Sequence, residues 1–185
     1  MDVIETDLPG VLILEPAIFT DERGSFLETW NEETYAAAGL PRRWVQDNLS
    51  SSGHGVLRGL HYQEPHPQGK LVWVVSGEVF DVAVDIRRGS PTFGRWTGVT
   101  LSDANRRQFW VPEGFAHGFV VTGEHALFAY KCTDRYDRAA EGSVRWDDPE
   151  IGIDWPVQKP TLSGKDAMAP PLSEIASDRL PHFTS

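Results

Sequence analysis

The stretch GHGVLRGLHYQEPHPQGKLVWVVSGEVFDVAVDI, Gly53 to Ile86, sets Arg58, His61, His66 and Lys70, side chains able to do chemistry, between hydrophobic runs. Histidine titrates near neutrality and can take up and give back a proton. Arginine binds an anion through charge-assisted bonds, and a lysine can stabilise negative charge as it develops. Farther on, Tyr130 in YKCTDRY can donate a phenolic proton, and Asp166 in LSGKDAM can orient an imidazole and stabilise its charged form. Together these types suit proton transfer on a bound anionic molecule. Each also has a plainer reading. A lone histidine in a β-protein is commonly structural, a mid-strand tyrosine commonly bonds backbone in the core, and an isolated aspartate commonly sits on the surface.

Other chemistries fit less well. His61 is followed by Tyr62 and Gln63, so the His-x-His spacing that sets two imidazoles on one strand face is missing. His54, His66 and His117 are scattered, and the expectation is a site without a metal. Neither GxGxxG nor GxxxxGK[ST] occurs, which argues against a Rossmann or P-loop enzyme. The expectation is an enzyme with no cofactor.

The elements around these residues read as β. From Phe80 to Ile86 apolar positions alternate, the period of a strand with one buried face. Ser76-Gly77 before it, and Thr122-Gly123-Glu124 later, read as turns. Ala126, Phe128, Tyr130 and Cys132 share one strand face, and Trp44, Gln46 and Asn48 another. Strand parity sends Arg58 and His61 opposite ways, so a bulge at Gly59 is expected to bring them together. Asn31 can cap a short helix over Thr34 to Ala38. Thr133 to Ser185 is irregular and is expected to wrap the sheet, with a short helix around Leu172 to Ile175. Many short strands joined by Gly/Pro turns predict an all-β, double-sheet jelly-roll barrel, cupin-like, in one domain over 1–185.

The formal charge of -10 argues against nucleic-acid binding. It leaves room for a small anion, since a local basic cluster can outvote the global charge. One cysteine, Cys132, fits a reducing compartment, and neither a signal-peptide pattern nor a membrane-spanning apolar run is found. The expected location is cytoplasmic.

Several long motifs then carry a resemblance: GHGVLRGLHYQ, PQGKLVWVVSGEVFDVAVDIRRGSPTFGRW, VPEGFAHGF, YKCTDRY and LSGKDAMAP. In type and order they resemble the dTDP-4-dehydrorhamnose 3,5-epimerases, from about Gly10 to Leu172. The resemblance implies a metal-free homodimer acting on dTDP-4-dehydro-6-deoxy-D-glucose, inverted at C3 and C5. It implies that His61 is the base, Asp166 its partner carboxylate and Tyr130 the acid on the other face of the sugar. Lys70 is implied near the keto oxygen, Arg58 near the pyrophosphate, and His117 near the site. Phe19, Arg23, Glu28, Gln46, Asn48 and Tyr136 resemble nucleotide contacts. Arg135-Tyr136 stands where many members carry two aromatics. A single-centre epimerase of a dTDP-ketosugar, a non-catalytic nucleotide-sugar-binding barrel and a metal-dependent barrel enzyme are the alternatives.

Overall fold

A computed structural model describes residues 1–184 and is mostly β. In chain order the strands are β1 (Asp2–Glu5), β2 (Leu12–Glu15), β3 (Ile18–Asp21), β4 (Gly24–Leu27), β5 (Gln46–Gly53), β6 (Leu57–Gln63), β7 (Lys70–Asp85), β8 (Trp96–Ser102), β9 (Gln108–Val111), β10 (Phe115–Cys132) and β11 (Glu141–Ser143). The helices are α1 (Glu32–Ala37) and α2 (Gly164–Ala167), with 3-10 turns at Leu172–Glu174 and Ser177–Arg179. Asn31 caps α1 by accepting from the Glu33 and Thr34 N–H groups, as its side chain predicts. Among the described residues no helix is long and apolar enough to cross a membrane.

Two long strands organise the sheet, whose order is β1-β2-β9-β7-β10-β6-β11, with β5 also on β10 and β8 also on β7. Both of the expected turns fall inside these strands. Ser76-Gly77 lies within β7 and Thr122-Gly123-Glu124 within β10, and the two sites face each other, Gly77 opposite Ala126. From Val121 to Ala126 β10 advances five positions, while β7 advances two, from Val79 to Gly77. Such an irregularity bends a strand without ending it. Gly77 holds φ +88, and a Cβ there would lie 1.9 Å from the His125 carbonyl oxygen. At this corner both strands change partners. β7 leaves β9 for β8, and β10 leaves β5 for β6. Polar residues projecting from a bent strand look like a turn in sequence.

The alternation in β7 marks two buried faces, not one. Val79 and Ala83 pack with Phe109, Phe119 and Phe128, while Val82 and Val84 pack with Leu57, Leu60 and Val120 on the other side. Asp81 and Asp85 are fully buried too. The second face is closed by the C-terminal segment, which lays Ile151, Trp155, Leu172 and Leu180 against it. Wrapping by that segment is as expected, and the Leu172–Glu174 turn falls where the short helix was predicted. Trp44 departs from the reading: β5 begins after it, at Gln46, and Trp44 packs edge-to-face on Trp110, ring centroids 5.7 Å apart.

β3 and β4 form a separate two-stranded hairpin. It leaves Ile18, Phe19 and Phe26 exposed. The stretch from Phe19 to Gly24, FTDERG, has the composition of a loop but is mostly hairpin, with only the tip turning.

Candidate active site

One cavity of about 450 Å³ collects Arg58, His61, Lys70, His117, Tyr130 and Asp166. The bulge that joins the first two is present. His61 pairs with His117 and Arg58 with Phe119, so Gly59 and Leu60 on β6 oppose Gly118 alone on β10. Gly59 takes φ +121, and a Cβ on it would come within 2.6 Å of the Gly118 Cα, so glycine is required on both conformational and steric grounds. The shift of parity turns Arg58 and His61 to the same side.

His61 Nε2 and Asp166 Oδ1 lie 2.6 Å apart, a short charge-assisted bond. Asp166 is nearly buried on α2, whose N-cap Ser163 accepts the Asp166 N–H. Burial alone would raise this carboxyl, but the hydrogen bond and charge of His61, then Ser163 and the Gly59 N–H, bring it below its ordinary value. An ionised carboxylate only accepts, so Nε2 carries the proton and Nδ1 of the neutral ring keeps its lone pair.

A second such pair lies deeper, with His117 Nε2 2.7 Å from Asp81 Oδ1. Burial pushes the Asp81 carboxyl up, against the pull of His117 and Lys70. Its Oδ2 has no partner among the described residues. Lys70, the first residue of β7, is depressed by burial against the opposing influence of Cys132, Asp81 and Glu141. Tyr130 is raised, first by burial and then by Cys132, with Arg58 opposing. It stands beside Phe128, which stacks on Phe119 at 4.2 Å and makes an apolar wall. Arg58 donates from Nε to Ser52 Oγ at 3.0 Å.

A recess of about 240 Å³ adjoins this cavity, sharing His61, Lys70, Tyr130 and Glu141 with it, and adds Gln46, Asn48 and Tyr136. Gln46 Oε1 accepts the Tyr136 N–H, and the Tyr136 hydroxyl donates to Glu141. Phe19, Arg23 and Glu28 are not brought to either space. Phe19 and Arg23 lie on the exposed hairpin, where Arg23 pairs with Asp21, and Glu28 accepts from Asn31.

Glu141 and Lys165 line the cavity as an ion pair that sequence reasoning did not select. Lys165 adjoins Asp166, which is the one signal that could have found it. With Arg58 and Lys70 it gives this acidic chain a locally cationic cavity. Among the described residues no three His, Cys, Asp or Glu side chains converge as a metal site. A histidine oriented by a carboxylate, a phenol and an ammonium around one space can move protons at carbon beside a carbonyl and hold the resulting charge.

The family model for dTDP-4-dehydrorhamnose 3,5-epimerase matches residues 5–174. A relative from Methanothermobacter thermautotrophicus, named dTDP-4-dehydrorhamnose 3,5-epimerase, is 53% identical over 92% of this chain and 94% of its own. The crystal structure of dTDP-6-deoxy-D-glucose-3,5-epimerase from Legionella pneumophila, in complex with dTDP-4-keto-L-rhamnose, is similar at TM-score 0.97 and 53% identity, covering 100% of this chain and 99% of that one. A 3'-monoepimerase from Streptomyces bikiniensis, in complex with dTDP-quinovose, is similar at TM-score 0.88 and 36% identity, covering 96% and 91%.

Proposed function

The chain belongs to the dTDP-4-dehydrorhamnose 3,5-epimerase family, and we propose that it inverts C3 and C5 of dTDP-4-dehydro-6-deoxy-D-glucose by proton transfer beside the 4-keto group. The product is dTDP-4-dehydro-L-rhamnose. The observation that carries this is the His61–Asp166 pair on a cavity shared with Tyr130 and Lys70.

A proton beside a ketone is far less acidic than imidazolium, so His61 needs help to remove it. Lys70 supplies that help at the enolate oxygen, where charge appears only as the proton leaves. Inversion then requires a proton from the opposite face, and Tyr130, whose hydroxyl is kept protonated by burial, is the donor. The ketone at C4 activates both neighbours, so one site treats both centres in turn. Arg58 and Lys165 hold the diphosphate, and Gln46, Asn48 and Tyr136 in the adjoining recess take the nucleoside. Binding energy from the dTDP handle positions the sugar for the transfers.

The test is NMR of C3 and C5 proton exchange in deuterated water, with and without a reductase to trap the product. Deuterium at both centres and a trapped L-lyxo sugar are expected. The similarity to a 3'-monoepimerase favours, as the second reading, a single-centre enzyme, which would exchange one position only. Tyr130→Phe separates the two further. Formation of the doubly inverted sugar should fall about 10–100-fold while exchange is retained better. An unchanged rate and product ratio would remove Tyr130 from the mechanism.

The fold proposed for the chain is a double-sheet jelly roll in one domain, supported by the partner changes of β7 and β10. The assembly proposed is a homodimer. Ile18, Phe19 and Phe26 expose apolar surface on a hairpin that also carries Arg23, and a second copy would cover it. Phe19 and Arg23 of the partner subunit would then complete the nucleotide recess. Phe26→Asp should give a monomer by light scattering and weaken dTDP binding about 10-fold or more. A dimer with unaltered affinity would show that the hairpin serves neither purpose.

A further inference from the structure

Asp166 sits on a strap, and the strap is fastened at its base by a carboxylate that touches nothing in the cavity. Asp148 is 2% exposed. Its Oδ2 accepts the Leu172 N–H at 2.7 Å and its Oδ1 the Glu150 N–H at 2.9 Å. Beyond Asp148 the chain runs across the second sheet face, burying Ile151 and Trp155, carries α2, and reaches Leu172, so one side chain ties the two ends of the strap. Beside it the Arg145 N–H donates to the Pro170 carbonyl at 2.8 Å. The Arg145 guanidinium turns away to Asp147, leaving Asp148 to backbone donors alone among the described residues.

Upstream of α2 the strap is pinned a second time. Thr161 donates to the Gly55 carbonyl at 2.8 Å and accepts from the Leu57 N–H at 3.0 Å, forming a parallel bridge to the start of the strand that bears His61. Asp166 therefore stands between two anchors, one on the β6 side and one at Asp148. The His61 side chain is 31% exposed, so packing alone does not fix its ring, and the 2.6 Å bond to Asp166 depends on where the strap is held. Two N–H groups converging in a buried place need an acceptor with two oxygens, which an apolar residue cannot supply.

We infer that Asp148 is a positioning residue, setting Asp166 against His61 through the base of the strap, an inference that rests on the proton-transfer role proposed for that pair. Asp148→Ala should lower kcat about 30-fold through misplacement of the dyad, with KM and the affinity for dTDP held within about two-fold. Asp148→Asn keeps one accepting oxygen and should lose about five-fold. The acid limb of the kcat–pH profile should move in the same direction in both variants as it does in Asp166→Asn. Combined with Asp166→Asn, the alanine change should cost no more than about a further two-fold, because both act through one interaction.

A wild-type kcat in Asp148→Ala, beside a slow Asp166→Asn, overturns the inference alone. So does a loss that multiplies fully onto Asp166→Asn, since that is general destabilisation. If the alanine variant does not fold, the asparagine variant decides: a five-fold lower kcat with the displaced limb supports positioning, and wild-type behaviour overturns it. An Asp166→Asn enzyme of normal rate overturns the underlying reading, and the inference with it.

Discussion

Replacing His61 by alanine should lower turnover by about 10³–10⁴-fold and leave dTDP bound as in the wild type. The side chain lines the cavity proposed for the sugar, with its Nε2 committed to Asp166, and the recess proposed for the nucleoside is lined mainly by other residues. Without the imidazole no group on that wall takes up the C–H proton, and exchange of C3 and C5 protons with deuterated water should vanish in step with turnover. Calorimetry with dTDP and exchange by NMR on the same preparation check both halves. Equal loss of binding and turnover would sink the assignment, because it would make His61 a structural or binding residue.

Lys70→Met should cost about 10²–10³-fold in kcat, the scale for removing one donor from a developing oxyanion. Methionine keeps much of the aliphatic stem and removes the charge, so the loss reports on electrostatics more than on packing. The pH profile gives the sign. Burial lowers the Lys70 pKa, so the ammonium is lost at a lower pH than in an ordinary lysine. Burial raises the Tyr130 pKa, so the phenol survives to a higher pH. An alkaline fall of kcat in the wild type is therefore expected to report Lys70. Lys70→Arg should move that fall to higher pH, and an alkaline limb unmoved in the arginine variant would assign it elsewhere. Removing Lys70 also strips Asp81 of a favourable charge, so its carboxyl should rise further.

How much of this was legible depended on whether the physics was local. The bulge at Gly59 could be argued from parity alone, because two residues meant for one site cannot lie an odd number of strand positions apart without it. The shared face of Phe128 and Tyr130 followed in the same way. The corners of β7 and β10 were not legible. A glycine and exposed polar residues give the same local signal whether the chain reverses or bends, and only the cross-strand partners decide. Burial of Asp81 was hidden for a related reason. Alternation marks two faces but does not say that a distant segment will cover the second. Glu141 lies in a strand of three residues, too short to show a period, so its meeting with Lys165 left no trace in sequence. The pairing of His61 with Asp166 was implied by motif resemblance alone, since nothing in spacing links two residues 105 positions apart.

That separation has a consequence for the life history of the chain. The histidine belongs to a strand made early in synthesis, whereas its carboxylate arrives later, on the strap that covers one face of the sheet. Contacts so distant in sequence form late, after the entropy of the intervening loop has been spent. Proton-transfer competence should therefore be among the last properties a nascent or refolding molecule acquires. A chain stalled before Asp166 already contains every strand from β1 to β11 but lacks the carboxylate that the proposed dyad needs, so activity should appear only once synthesis has passed the strap.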